Sequence, residues 1–253
     1  MKQSILSASG LCKSFAHNGN QLHILSGLDL ELYQGEFTVV MGVSGAGKST
    51  LLYALGGMDR ATAGQVLYKG ENLVTMREKK LAALRCGDFG FIFQQMHLVS
   101  NLSLYENVLV AGYVNRTIPG ETVRSRAKEL MERMGIWSMG SHLPSQVSGG
   151  EQQRCAIARA VVHAPRLLFA DEPTGALNRK HTTEVLDLLT EMNRQGQSIL
   201  MVTHDTRAAV RADRLIYLAD GGIVGELQMP SYTAQEEKSR VNQVNAWLTS
   251  LEW

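Results

Sequence analysis

The run Gly42-Val43-Ser44-Gly45-Ala46-Gly47-Lys48-Ser49 narrows the folds open to this 253-residue chain more than anything else in it. It fits the pattern G-x-x-x-x-G-K-[ST], and it stands in the context that gives the pattern meaning. Before it, residues 37–41 read as a buried strand, and after it residues 49–55 begin a helix. Glycines let the backbone wrap tightly with its N–H groups turned inward, which makes a nest for an anion. The helix that follows aims its positive N-terminal end at the same point. Lys48 is placed to bridge the β- and γ-phosphates of a bound triphosphate, and the Ser49 hydroxyl to ligate Mg²⁺, with Thr50 next in the phosphate-binding run. Average residue usage would produce the whole pattern by accident in about one such chain in a hundred. The chain must therefore build a strand–loop–helix unit and a sheet to hold it.

The remaining pattern agrees with an α/β fold. Residues 89–93, 166–170 and 198–203 are further compact apolar runs of strand length, separated by stretches of helical period. That alternation predicts a mostly parallel sheet covered by helices. The first part of the chain differs. Residues 5–15, 28–33 and 65–69 read as short antiparallel strands, with turns at Asn18-Gly19-Asn20 and Lys69-Gly70. From about residue 96 to 163 the strand signal stops, and residues 104–114 and 121–134 are helical by period, so this region reads as an inserted helical subdomain. The cassette so read spans residues 4–228. In the tail, 229–253, Val241, Val244, Leu248 and Leu251 fall on one helical face beside Trp247, which fits either a helix folded back on the domain or a docking helix for a partner.

Composition limits the partners. A formal net charge of +1 gives no bulk electrostatic reason to expect nucleic acid. The three cysteines, Cys12, Cys86 and Cys155, form no CxxC pair and suit reduced thiols in the cytosol better than a disulfide framework or a zinc site. No segment nears the ~18 uninterrupted apolar residues of a membrane span, and Lys13 interrupts any signal-peptide core near the start. A cytoplasmic protein is expected, with any membrane role reached through a partner.

A second half of the site is legible further on. Residues 167–170 form an apolar strand that ends in Asp171-Glu172. Beside a phosphate loop, the first carboxylate can reach Mg²⁺ through water and the second can face an attacking water, the two jobs that triphosphate hydrolysis needs. Farther back stands Val147-Ser148-Gly149-Gly150-Glu151-Gln152-Gln153-Arg154. Ser148 offers a hydroxyl while Gly149 and Gly150 expose N–H groups at the start of a helix running through Ala160, another anion-binding helix terminus. One triphosphate needs one cradle, so a second such terminus about 100 residues away calls for an explanation.

These residues resemble the signature motif of ATP-binding cassette (ABC) ATPases, commonly LSGGQ, with Val147 and Glu151 as departures. The resemblance covers about residues 4–227. It implies the ABC-type P-loop fold, ATP and Mg²⁺ as cofactors, and a head-to-tail homodimer in which Ser148, Gly149, Gly150 and Glu151 of one subunit close over the nucleotide of the other. By the same resemblance Gln94 looks like the Q-loop glutamine, a contact to Mg²⁺, and His204 like the switch histidine that touches the γ-phosphate. Phe15 looks like the aromatic that stacks on adenine, for which only a π-face is needed; core packing is the other reading of it. Residues 173–178 resemble the D-loop region, with Asn178 where Asp is usual. Lys48, Glu172 and His204 are the expected catalytic residues.

Within the family, Asp171 to Leu177 (Asp-Glu-Pro-Thr-Gly-Ala-Leu) and the Gly-Phe-Ile-Phe-Gln run at 90–94 look similar to the branch of macrolide exporters, lipoprotein-release ATPases and bacitracin-type peptide-resistance ATPases. That implies a motor subunit on the inner face of the cell membrane, driving a separate permease with a large extracytoplasmic domain. Export of, or resistance to, antimicrobial peptides or antibiotics is expected, with lipoprotein release or division-type mechanotransmission as the alternatives.

Overall fold

A computed structural model describes residues 2–17 and 20–251. Asn18 and Gly19 of the turn read at 18–20 lie outside the described residues. In chain order the elements begin with β1 (Ser4–His17), β2 (Asn20–Tyr33), β3 (Phe37–Met41), α1 (Lys48–Leu55), β4 (Ala63–Tyr68), β5 (Glu71–Asn72) and α2 (Glu78–Gly87). Then come β6 (Phe89–Ile92), α3 (Leu104–Val114), α4 (Gly120–Arg133), α5 (Gly149–Val161), β7 (Leu167–Asp171) and α6 (Arg179–Arg194). The chain closes with β8 (Ser198–Val202), α7 (Thr206–Ala209), β9 (Arg214–Ala219), β10 (Gly222–Gln228) and α8 (Glu237–Ser250). They fall into two units, Met1–Leu81 with Met192–Trp253, and Ala82–Glu191.

The first unit holds two sheets. One is antiparallel, in the order β2-β1-β4-β5. β1 is its spine: Leu6 pairs with Leu32 on one side and Tyr68 on the other, and all three side chains are buried. In the other, β3 lies parallel between β8 and β9, and β10 pairs antiparallel with the far edge of β9. Every residue of β3 and β8 is buried, which is why these strands read as unbroken apolar runs and not as alternation.

The tail helix α8 belongs to this unit. Val244 and Leu248 are buried as its period predicts, and Trp247 meets Tyr217 edge to face at 6.5 Å. Val241 and Leu251 are only half-buried, and the other residue α8 buries is a cation, Arg240. Its guanidinium reaches three carbonyl oxygens that apolar contact alone could not satisfy, those of Val210 (2.7 Å), Pro230 (2.6 Å) and Ala212 (2.5 Å). Through these bonds α8 lies folded back on the first unit.

In the second unit β6 and β7 pair in parallel, from Phe89 opposite Leu167 to Ile92 opposite Ala170, and the Phe91 and Phe169 rings stack at 5.1 Å. Helices α3, α4 and α5 follow, with no strand between β6 and β7 among the described residues, and the unit itself is wider than residues 96–163. At Gly112 of α3, a Cβ would stand 2.4 Å from Val123 of α4, so only glycine permits that approach. Cys155, on α5, is buried, and burial pushes its thiol up to about 12. Among the described residues no helix is long and apolar enough to cross a membrane.

Candidate functional site

In the first unit the phosphate loop leaves the buried end of β3 at Gly42. A Cβ there would lie 2.3 Å from the carbonyl oxygen of Leu218, the residue after Tyr217, which pairs with Met41, so glycine lets the loop start hard against β9. Gly47, at φ 96°, is the N-cap of α1 and takes a left-handed turn that L side chains resist. The crest, Val43 to Gly45, is exposed, while Ala46, Gly47 and Lys48 are buried. The Lys48 ammonium donates to the carbonyls of Gly42 (2.8 Å) and Val43 (3.0 Å), so the loop wraps over its own cation. The donor set is loop N–H groups, one ammonium and the Ser49 and Thr50 hydroxyls at a helix start. It fits a polyphosphate.

His204 belongs to the same unit. β8 runs parallel to β3, and the Thr203 N–H donates to the Val40 carbonyl at 3.1 Å, which fixes the chain just before His204 against the strand that feeds the loop. The Thr203 hydroxyl accepts from the Asp205 N–H at 3.0 Å, so the histidine is held between two anchored neighbours with its own side chain exposed. Phe15, on β1, is 43% exposed with the Lys13 ammonium 4.7 Å from its ring centroid. That exposure removes the core-packing reading of Phe15.

The second unit carries the carboxylates. Asp171 closes β7 and is buried; Glu172 follows at φ 45°, a left-handed conformation unusual for a residue with a side chain. Its carbonyl accepts from the Gly175 N–H at 3.0 Å, closing a tight turn directly behind the carboxylates. Gln94 packs on that turn: a Cβ on Gly175 would lie 2.9 Å from the Gln94 amide nitrogen. Gln94, Glu172 and the 173–176 segment are thus brought together within one unit. Ser49, Asp171 and Gln94 are oxygen donors of the hard kind Mg²⁺ takes. Among the described residues no cluster of three His, Cys, Asp or Glu forms a protein-only metal site.

The signature run opens α5. Ser148 is its N-cap, and Ser148 and Glu151 form a capping box. Glu151 Oε2 accepts from the Ser148 N–H (2.7 Å) and hydroxyl (2.8 Å), and the Glu151 N–H donates back to Ser148 Oγ (3.3 Å). Hydrogen bonds from Ser148 hold the Glu151 carboxyl below its usual range. Ser148 and Gly149 are exposed, while Gly150 is buried.

Two organising residues went unread in the sequence. Arg159, also on α5, donates to the carbonyls of Met96 (2.6 Å) and His97 (2.5 Å), tethering the segment after Gln94 to the signature helix. Burial pushes its guanidinium below the usual value. Asn107 is buried and donates to the carbonyls of Val99, Leu102 and Ser103. An arginine or asparagine on a helix carries no mark that it will satisfy the backbone of a loop, whether distant, as for Arg159, or just before its own helix, as for Asn107.

The glycine loop, the Asp-Glu strand end and the Ser-Gly-Gly helix start together define a P-loop nucleotide hydrolase of cassette type. Residues 25–175 match the ABC transporter family, and the chain belongs to it as an ATP-binding, ATP-hydrolysing cassette. It is 43% identical over 217 residues to the macrolide export ATP-binding/permease protein MacB 1/2 of Paracoccus denitrificans, covering 86% of this chain and 32% of that protein. To MacB of Pasteurella multocida it is 36% identical over all 253 residues, 38% of that protein. The chain therefore spans about a third of the length of these curated relatives. Among solved structures it is similar to the dimeric ATP-binding cassette MJ0796 in a post-hydrolysis state bound to ADP and Pi. That match has a TM-score of 0.83 at 33% identity and covers 90% of this chain and all of the other.

Proposed function

We propose that the chain is the motor of an export system at the inner face of the cell membrane, acting as a homodimer with two composite ATP sites. In this reading the loop N–H groups and Lys48 hold the β- and γ-phosphates, and Ser49, Gln94 and Asp171 hold Mg²⁺, which supplies charge neutralisation on the phosphates when bound. Phe15 offers its exposed face to the adenine. Glu172 takes the proton of the attacking water, His204 steadies the γ-phosphate, and Ser148 to Glu151 of the second subunit close the site. The permease it drives has a large extracytoplasmic domain, and the cargo is a macrolide-like antibiotic or an antimicrobial peptide. The two curated relatives reported above are named as macrolide export proteins, which supports the cargo class.

The observation that carries the catalytic assignment is Glu172 itself, a carboxylate held in a left-handed backbone conformation one residue beyond a fully buried strand. A shape of that kind costs on the order of 1 kcal/mol or more, persists only where the surrounding structure over-determines it, and is concentrated at active sites. Two variants test it. Lys48→Ala is expected to lose nucleotide affinity, since phosphate charge goes uncompensated. Glu172→Gln is expected to keep ATP affinity within about twofold while turnover falls at least ~100-fold, the scale of a general-base contribution. Normal turnover by purified Glu172→Gln protein removes Glu172 from the role of base.

A further inference from the structure

The signature helix α5 and the start of α6 meet at Gly150 and His181. A Cβ on Gly150 would stand 2.5 Å from Cγ of the His181 ring, so the imidazole lies flush on the signature backbone. One carboxylate oxygen governs that placement. Glu184 Oε2, one turn along α6, lies 3.0 Å from His181 Nδ1 and accepts from Arg154 of α5 at 2.8 Å. An ionised carboxylate only accepts, so the His181 nitrogen facing it carries the proton. The side chains of Arg154 and His181 are 17% and 23% exposed and that of Glu184 is 37%, so both bonds are shielded on the Arg154 and His181 side and open to water at the carboxylate. The backbone N–H of His181 donates to Asn178 Oδ1 at 3.0 Å, capping α6 from the end of the 173–178 segment. That segment starts directly after Glu172. One residue thus touches the signature glycine with its ring and the post-catalytic turn with its backbone, and Glu184 holds it in place.

We propose that Glu184 is a positioning residue for the signature motif: by fixing His181 against Gly150 and Arg154 against α6, it sets the pose in which Ser148-Gly149-Gly150 meets the nucleotide of a second subunit. The inference rests on the composite-site reading. Its consequence is a defect in closure and not in nucleotide capture, because the phosphate loop that captures ATP shares none of these contacts. Asn178 gains a role of its own here. Its side chain does the capping that an aspartate would do, so the substitution leaves the His181 link intact.

The test uses the chain in the Glu172→Gln background, with ATP-driven association followed by analytical ultracentrifugation. Adding Glu184→Ala is expected to weaken association about tenfold, the scale of one lost charge-assisted hydrogen bond. ATP affinity of the monomer stays within about twofold and the melting temperature within about 2 °C, consistent with loss of a partly exposed ion pair. His181→Ala is expected to give a similar loss, and the Glu184→Ala/His181→Ala pair no more than the larger single loss, because the two act as one unit. A purely structural role would lower melting temperature and ATP affinity along with association. If Glu184→Ala fails to fold, Glu184→Gln, which keeps the shape and one accepting oxygen, is measured in its place, with about threefold weaker association expected. Association as tight as the parent's, or losses that simply add, overturns the proposal. If the Glu172→Gln parent itself stays monomeric with ATP bound, the composite-site reading falls and takes this one with it.

Discussion

Ser148 and Glu151 are each other's hydrogen-bond partners at the first turn of α5, with the carboxylate taking both the N–H and the hydroxyl of the serine. The hydroxyl that the proposed composite site would offer to a phosphate is thereby shared with an anion of the same chain. The folded state holds the Glu151 carboxyl below its ordinary value, with the Ser148 hydroxyl as the main cause. For a lowered carboxylate, the stabilisation is present above the unfolded value and is lost as pH falls through the folded one. The pair should therefore support α5 at neutral pH and fade below about pH 4.5, where the unfolded carboxyl begins to protonate. Glu151→Gln is expected to cost about 0.5–1 kcal/mol at pH 7, the usual scale of a cap, and little in acid. Denaturant titrations of both proteins at pH 7 and pH 3.5 check this. Equal differences at the two values would mean that the charge of Glu151 contributes nothing.

The loop glycines differ in what they tolerate. At Gly42 a Cβ would run into the Leu218 backbone oxygen at 2.3 Å, and a carbonyl inside a strand cannot move aside. At Gly45, φ is +83° but nothing lies within 4 Å, so alanine there meets only backbone strain. Gly42→Ala is expected to destabilise by at least about 3 kcal/mol, in the range of overpacking and worse. Gly45→Ala should cost about 1 kcal/mol. Chemical denaturation of the two variants, without nucleotide, ranks them. A Gly45→Ala protein less stable than Gly42→Ala would contradict the loop geometry.

Arg240 ties the tail down. Its three carbonyl partners lie on the segment after α7 and before α8, and its ring neighbour Tyr232 is faced by Arg211 as well, at 4.3 Å. Removing the guanidinium takes the donor from the carbonyls of two buried residues, Val210 and Ala212, and from that of the exposed Pro230. Arg240→Met, which keeps the packed stem, is expected to lose about 2–4 kcal/mol. Arg240→Lys should recover only part of this, since one ammonium cannot copy a planar fork. Thermal melts of the three proteins check the order, and a lysine variant equal to wild type would sink the argument.

These cases mark what could be read from the chain and what could not. The β3 strand, its glycine loop, the Asp171-Glu172 strand end and helix α3 were legible because each is local: apolar runs, turn chemistry and cap residues lie within a few positions of one another. Strands β9 and β10 went unmarked although residues 215–218, Leu-Ile-Tyr-Leu, are all buried and apolar. The short α7 and a charged stretch before them hid the α/β alternation. Helix α6 opens on Arg-Lys-His-Thr-Thr and shows its apolar face only from Val185. Arg159, Asn107, Glu184 and Arg240 were invisible as organisers for a common reason. Arg159, Arg240 and, toward Arg154, Glu184 satisfy groups 10 to 63 residues away, while Asn107 serves carbonyls 4 to 8 residues before it, and a polar residue on a helix looks the same whether its partner is water or a loop carbonyl.

The last prediction concerns the surface that the proposed permease would use. Residues 96–107 follow Gln94 directly and mix Met96, Leu98, Leu102, Leu104 and Tyr105 with few charges, so they are the expected surface, and a charge at Leu98 should break the contact. In the structure Leu98 is half-buried, while its neighbour Val99 is 46% exposed. The loop carrying both is pinned at each end, by Arg159 on the Met96 and His97 carbonyls and by Asn107 on Val99, Leu102 and Ser103. The Val99 N–H also donates to Asn107 Oδ1 at 2.7 Å. A loop fixed by backbone bonds presents its exposed side chains in one pose, as a docking surface for a moving partner requires. Because that pose does not depend on the Val99 side chain, Val99→Glu should fold normally and keep its basal ATP hydrolysis. In a complex reconstituted with the permease it should lower stimulation of that activity at least about tenfold, the scale of burying an unpaired charge at an interface. Leu98→Glu should do the same and also lower the melting temperature, since part of that side chain is packed. Full stimulation with Val99→Glu would mean that the partner docks elsewhere. Loss of stimulation in both variants, with only Leu98→Glu destabilised, would separate contact from packing at this loop.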